Sequence, residues 1–165
     1  MGHYQIRAAQ NLSCTPAEAW EFLSNPGNLQ RITPPKMKFE ILDGLAENMF
    51  AGQIIHYKVS PFKGFKTHWV TEITHVKEGE YFVDEQRFGP YAFWHHQHRI
   101  EAISGGTRME DIVNYKLPLG PLGDLAHGLF VKRQLKEIFA YREAELLRRF
   151  GKAESGTDQL SFKKL

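Results

Sequence analysis

The chain has 165 residues, 42% hydrophobic and 24% charged, and a formal net charge of +2 at pH 7, which suits one globular domain with a real core. So small a charge, with bases dispersed among acids, gives no expectation of nucleic acid binding. No apolar run approaches bilayer length and no leader-like segment opens the sequence, so integral membrane association is not expected. The single Cys14 rules out an intrachain disulfide, and the expected location is cytoplasmic.

Tyr4, Ile6 and Ala8 alternate with Gln5 and Arg7 over residues 3–12, which predicts a strand, expected at a sheet edge. Thr15 followed by Pro16 and Glu18 predicts a helix start, with threonine as cap, proline in the first turn and glutamate closing a capping box. Asn25, Pro26 and Gly27 interrupt that helix, and a second short one is expected over Asn28 to Ile32, stopped by Pro34 and Pro35. From Lys36 the period changes to two. Strands are expected around Phe39 to Ile41, over Ile54 to Val59, Phe65 to Val76, Tyr81 to Phe88, Tyr91 to Ile103 and Thr107 to Leu117. The connections between them are a loop from Pro61 to Gly64 and turns at Glu78-Gly79, Gly89-Pro90 and Gly105-Gly106. The total is six or seven strands. Trp69 anchors the inward face of its strand.

Pro118, Gly120 and Pro121 end the last strand, and the span Gly123 to Phe150 is helix-periodic. Leu122, Ala126, Val131, Leu135, Ile138, Leu146 and Leu147 supply a broad apolar stripe, while Arg133, Lys136, Glu137, Arg142, Glu143, Glu145 and Arg148 occupy much of the remaining surface. A helix of about 26 residues within this span, at ~1.5 Å per residue, is about 39 Å long, enough to cross a small domain. The economical partner for its stripe is a curved antiparallel sheet, so the fold class is α+β. The domain is expected to cover residues 1–150. Residues 151–165 read as a flexible polar tail in which Leu160 and Phe162 would dock if a groove were available.

Polar residues interrupt the inward faces in two places. Trp94, His96, His98 and Ile100 share one face of their strand, and the bulky apolar ends of that set favour an inward orientation. Asp111 and Tyr115 sit on the otherwise apolar face Met109, Asp111, Val113, Tyr115, Leu117. Counting back from the Gly105-Gly106 turn brings Asp111 opposite His98 to Ile100. Two inward histidines and an aspartate invite a metal reading, but the histidines stand about 7 Å apart along the strand, and no cysteine pair or second histidine cluster completes a signature. Neither a metal nor a cofactor is therefore assigned. A buried hydrogen-bonded network and a set of groups orienting a ligand's polar end both remain open. Asp84 and Glu85 are adjacent on a strand and point to opposite faces, so they do not form a catalytic pair. His56, Tyr57, His68 and His75 are scattered, and Cys14 is read as structural. No phosphate loop, nucleotide-binding glycine fingerprint or nucleophile elbow occurs.

Phe88-Gly89-Pro90, Trp94-x-His96-x-His98, Gly106-Thr107-x-Met109-x-Asp111-x-Val113-x-Tyr115 and Pro118-x-Gly120-x-Leu122-Gly123 carry a resemblance over residues 3–150. The chain resembles the helix-grip superfamily of START lipid-transfer domains, polyketide cyclases and the major birch pollen allergen, and most closely the small bacterial ligand-binding proteins of the SRPBCC group. The resemblance implies a curved sheet gripping the C-terminal helix, two short helices closing one end, and a cavity for a hydrophobic or amphipathic small molecule. It carries no universal catalytic set. His96, His98, Asp111 and Tyr115 are the expected polar groups of the pocket, and Trp69, Trp94 and Phe130 its expected contacts, with Trp20 and Phe139 as further wall or core residues. Three functions stay open: a ligand carrier, a cyclase or dehydratase using a cavity histidine, and an interaction module with a filled core. Homodimerisation is also open.

Overall fold

A computed structural model describes residues 2–62 and 65–165. Lys63 and Gly64, within the loop expected from Pro61 to Gly64, lie outside the described residues. Eight strands form one open, curved sheet: β1 (Tyr4–Leu12), β2 (Glu40–Asp43), β3 (Gln53–Phe62), β4 (Phe65–Lys77), β5 (Tyr81–Phe88), β6 (Phe93–Ile103), β7 (Gly106–Lys116) and β8 (Gln159–Lys164). Their order is β2-β3-β4-β5-β6-β7-β1-β8, and each neighbouring pair is antiparallel. Helix α1 (Pro16–Leu23) and a 3-10 segment (Pro26–Ile32) follow β1, and the long C-terminal helix lies across the sheet in the helix-grip arrangement.

Local chemistry sets α1 as expected. The Thr15 hydroxyl accepts from the Glu18 amide at 3.2 Å, and the Glu18 carboxylate accepts from the Thr15 amide at 2.8 Å, so two of the helix's otherwise unpaired donors are satisfied at once. The apolar face of α1, with Phe22 and Leu23, then packs with Ile32, Phe82, Ile100, Met109 and Leu146. These short elements therefore close one end of the sheet against the last turns of the long helix.

That long helix is not uniform. It comprises α2 (Pro121–Ala126), a π-turn (His127–Val131) and α3 (Lys132–Phe150). Gly123 lets α2 start close to the preceding chain, because a Cβ there would lie 2.1 Å from the Pro118 carbonyl oxygen. A π-turn holds one residue more than an α-turn, which rotates the downstream helix by about 100° relative to an uninterrupted one. The apolar stripe expected from Leu122 onward is accordingly split. Leu122, Leu125, Leu129 and Phe130 are exposed; Gly123 and His127 are buried before α3, and on α3 the buried residues are Leu135, Phe139, Arg142 and Leu146. The spacing of those four is 4, 3, 4, a single helix face. Arg142, expected on the polar side, belongs to the buried one.

The C-terminal tail also differs from expectation. Gln159–Lys164 is hydrogen-bonded to β1, with Leu160 opposite Ala8 and Phe162 opposite Ile6, and Phe162 packs on the cluster that contains Ile6, Val113 and Tyr115. Strand β1 is therefore interior and β8 takes the edge. The physical cause is the row of unpaired backbone groups that β1 would otherwise present.

Candidate functional site

A cavity of about 380 Å³ lies between the inner face of the sheet and α3, with the 3-10 segment along its side. Trp69 of β4 and Trp94 of β6 meet edge to face at 5.3 Å, Tyr91 packs on both, and Leu135 and Phe139 of α3 form the opposite wall. The volume falls within the range of small-molecule sites, roughly 300–1,000 Å³. At about 24 cal/mol per Å³ a dry void of this size would cost on the order of 9 kcal/mol, comparable with the whole stability of a domain. It is a space for solvent or a guest.

Polar groups converge on one part of that wall. Strand pairing puts Asp84 of β5 opposite His96, and His98 opposite Asp111 of β7. The two imidazoles lean together, with ring centroids 3.7 Å apart rather than the 7 Å of the strand rise, and each bridges the same two carboxylates. At one end Asp111 Oδ1 lies 2.9 Å from both His96 Nε2 and His98 Nδ1; at the other, Asp84 Oδ2 lies 2.7 Å from His98 Nε2 and 3.5 Å from His96 Nδ1. Arg142 reaches in from α3 and donates to both Asp111 oxygens, Nε to Oδ2 at 3.1 Å and Nη2 to Oδ1 at 3.3 Å.

These contacts fix the charges. Burial alone would raise the Asp111 carboxyl, but the Arg142 charge and the hydrogen bonds from His96 and His98 hold it well below its ordinary value. Asp84 is also held below its ordinary value: burial, which raises it, is outweighed by the adjacent His96 and His98, with the hydrogen bond from His98, and by the Arg142 charge. Burial pulls His98 down, yet hydrogen bonds to Asp111 and Asp84 hold it above its ordinary value. With a carboxylate at each nitrogen, His98 in its protonated form donates from both. Burial and the neighbouring His98 charge push His96 down, so it is neutral and donates through Nε2 to Asp111. With His98 protonated, two carboxylates are balanced by one guanidinium and one imidazolium, the condition for keeping ions in an interior.

His96, His98, Trp69 and Trp94 line the cavity. Asp111 does not; it sits behind the histidines, fully buried, and acts through them. Tyr115 is also buried elsewhere. Its hydroxyl is 2.7 Å from His127 Nε2 on the π-turn, because the strand carries it past the cavity to the helix's first half. Phe130 is 60% exposed and points away from the cavity, since the π-turn rotates it outward. Trp20 packs against the cluster closing the end of the sheet, meeting Phe82 edge to face. Asp84 and Arg142 are the wall residues that sequence reasoning leaves out. Counting back from the Gly89-Pro90 turn places Asp84 beside the histidines, and Leu135, Phe139, Arg142 and Leu146 share heptad-like spacing. Both signals are in the sequence.

An apolar cavity under a gripping helix, with a few convergent polar groups, defines the START-like or SRPBCC helix-grip class and suits a small hydrophobic ligand. The chain belongs to the family described as polyketide cyclase / dehydrase and lipid transport, whose profile matches residues 12–139. Similar solved structures include a protein from Arthrobacter aurescens, with 15% identity, TM-score 0.66 and coverage of 87% of this chain and 86% of that one. Protein Ms6760 from Mycobacterium smegmatis aligns at 16% identity and TM-score 0.62, covering 88% and 92%. Ara h 8.0201 aligns at 19% identity and TM-score 0.60, covering 89% and 99%. At these identities the likeness is one of fold. No curated protein sequence matches the chain at a significant level. Among the described residues no helix is long and apolar enough to cross a membrane.

Proposed function

We propose that the protein binds or carries a hydrophobic or amphipathic small molecule in this cavity. Its apolar body would lie against Trp69, Trp94 and Phe139 and its polar end at Asp84 and His96. The observation that carries this is a mostly apolar space of about 380 Å³ with its polar groups gathered on one wall, the usual construction of a site that takes an oriented guest. The test is native mass spectrometry of the gently purified protein, followed by titration with lipids, aromatics and polyketide-like compounds. A stoichiometric adduct or saturable binding is expected, and Ile138→Trp, which fills the cavity from α3, abolishes it while the circular dichroism spectrum is retained. Absence of any saturable ligand, or binding indifferent to Ile138→Trp, overturns the proposal.

One observation favours a second reading, a cyclase or dehydratase acting on a polyketide-like molecule. His96 is neutral, lines the cavity and is oriented by a carboxylate at its far nitrogen, as an acid-base histidine needs to be. Turnover of a bound compound that disappears in His96→Gln while binding persists would support it. Unchanged turnover in that variant would remove it.

A further inference from the structure

The polar wall has two ends, and only one of them is backed by a guanidinium. At the Asp111 end, both histidines present a nitrogen to one carboxylate oxygen, and the Arg142 guanidinium sits behind it. At the Asp84 end, His96 Nδ1 and His98 Nε2 converge on Asp84 Oδ2 at 3.5 and 2.7 Å. Among the described residues, Asp84 has no lysine or arginine within ion-pair distance. One ligand atom each of Asp84, His96 and His98 lies within 4.8 Å of the others, and all three residues line the cavity.

We infer that Asp84, His96 and His98 form a binding site for a divalent first-row transition-metal ion, open toward the cavity. Donors about 2.0–2.2 Å from a common metal stand roughly 2.9–3.6 Å from one another in octahedral or tetrahedral geometry, so the two Asp84 distances need shifts of only a few tenths of an ångström, and the two histidine nitrogens, within 4.8 Å of each other, close to the same range when the ion binds. Two imidazoles and one carboxylate, without thiolate, select zinc, iron, cobalt or nickel over calcium or magnesium. Three protein ligands with remaining positions unfilled is the pattern of a site that also binds a guest.

The arrangement behind the ligands supports this independently. A metal-bound imidazole characteristically donates its other N–H to a carboxylate, which fixes the tautomer and strengthens the ligand. Here both histidines have Asp111 at that far nitrogen, at 2.9 Å each, and Asp111 is itself locked by Arg142. A bound ion takes the place of the proton between His98 and Asp84. The open positions face the apolar space, so they would accept an oxygen donor, such as a carboxylate, enolate or hydroxyl, at the polar end of a cavity guest.

The test uses the metal-free protein and zinc or cobalt alone, so its outcome is separate from that of the ligand-binding proposal. Calorimetry is expected to show one equivalent of Zn²⁺ bound, and Co²⁺ to give the visible absorption of a four- or five-coordinate nitrogen and oxygen site. Asp84→Asn and His96→Gln reduce affinity at least 100-fold. Asp111→Asn, which touches no metal, reduces it by about 10- to 100-fold. His56→Gln is the surface control, because His56 Nε2 lies 2.7 Å from His68 Nδ1 on the sheet's other side, and it leaves affinity unchanged. Should the wall variants fail to fold, histidine NMR signals of the wild type decide: those of His96 and His98 shift with Co²⁺. No saturable uptake by the wild type, or uptake lost with His56→Gln and kept in Asp84→Asn, overturns the inference.

Discussion

Arg142 makes a buried Asp111 tolerable. It is 7% exposed, on a helix otherwise rich in solvated charge, and it directs two donors to the one carboxylate that orders the histidine pair. Removing one member of such a pair strands the other in a low dielectric, which typically costs about 3–5 kcal/mol. Arg142→Met is therefore expected to lower the unfolding free energy by about that amount, measured by urea titration. Adding Asp111→Asn should recover most of the loss. A single variant as stable as the wild type would mean the ion pair is not holding the wall. At this scale, inward polarity was legible for His96, His98 and Asp111, because strand alternation places them among Trp94, Ile100 and Val113. The inward face of Tyr115 was legible too, but its partner His127 and the exposure of Phe130 were not, since a period assigns a face but not what meets it.

Among the elements, β8 and the π-turn carry the differences from expectation. Leu160 and Phe162 alternate with Gln159, Ser161 and Lys163, so the strand signal was present, but six residues after a glycine-containing polar stretch say nothing about an acceptor. Its acceptor is the free side of β1. Truncation after Asp158 should return β1 to the edge, lower the thermal midpoint and raise the dimer and aggregate fraction in size-exclusion chromatography, because unpaired strand edges template association. An unchanged midpoint and elution profile would show that β8 adds nothing. The π-turn had no comparable signature. It exposes Leu122, Leu125 and Leu129 while α3 faces the sheet, a rotation that helical periodicity read straight through from Leu122 to Leu147 does not reveal.

Across the whole molecule the polar wall links β5, β6, β7 and α3, so its protonation couples to global unfolding. His98 is held above its ordinary value of 6.5; the stability this contributes is fully present below that value and is lost as pH rises through the folded one. His96 is depressed from 6.5, and Asp84 and Asp111 from 3.8, so their contributions are present above those values and are lost as pH falls through the folded ones. The thermal midpoint of the metal-free protein should peak near about pH 6.5 and decline on both sides. In His98→Gln the decline on the alkaline side should flatten, and an equal slope in both proteins would disprove the assignment.

The alternating strands, the capped α1, the punctuating prolines and glycines and the long terminal helix were all determined by sequence, because each follows from local sterics, capping and a period of 2.0 or 3.6. So was the helix-grip class. The bridging of both histidines by each carboxylate, the ion pair between Arg142 and Asp111, the docking of the eighth strand on β1 and the size of the cavity were decided only by tertiary structure. They depend on which elements are brought together and how closely, and residues far apart in the chain, such as Asp84, Asp111 and Arg142, acquire their charges and roles only from one another.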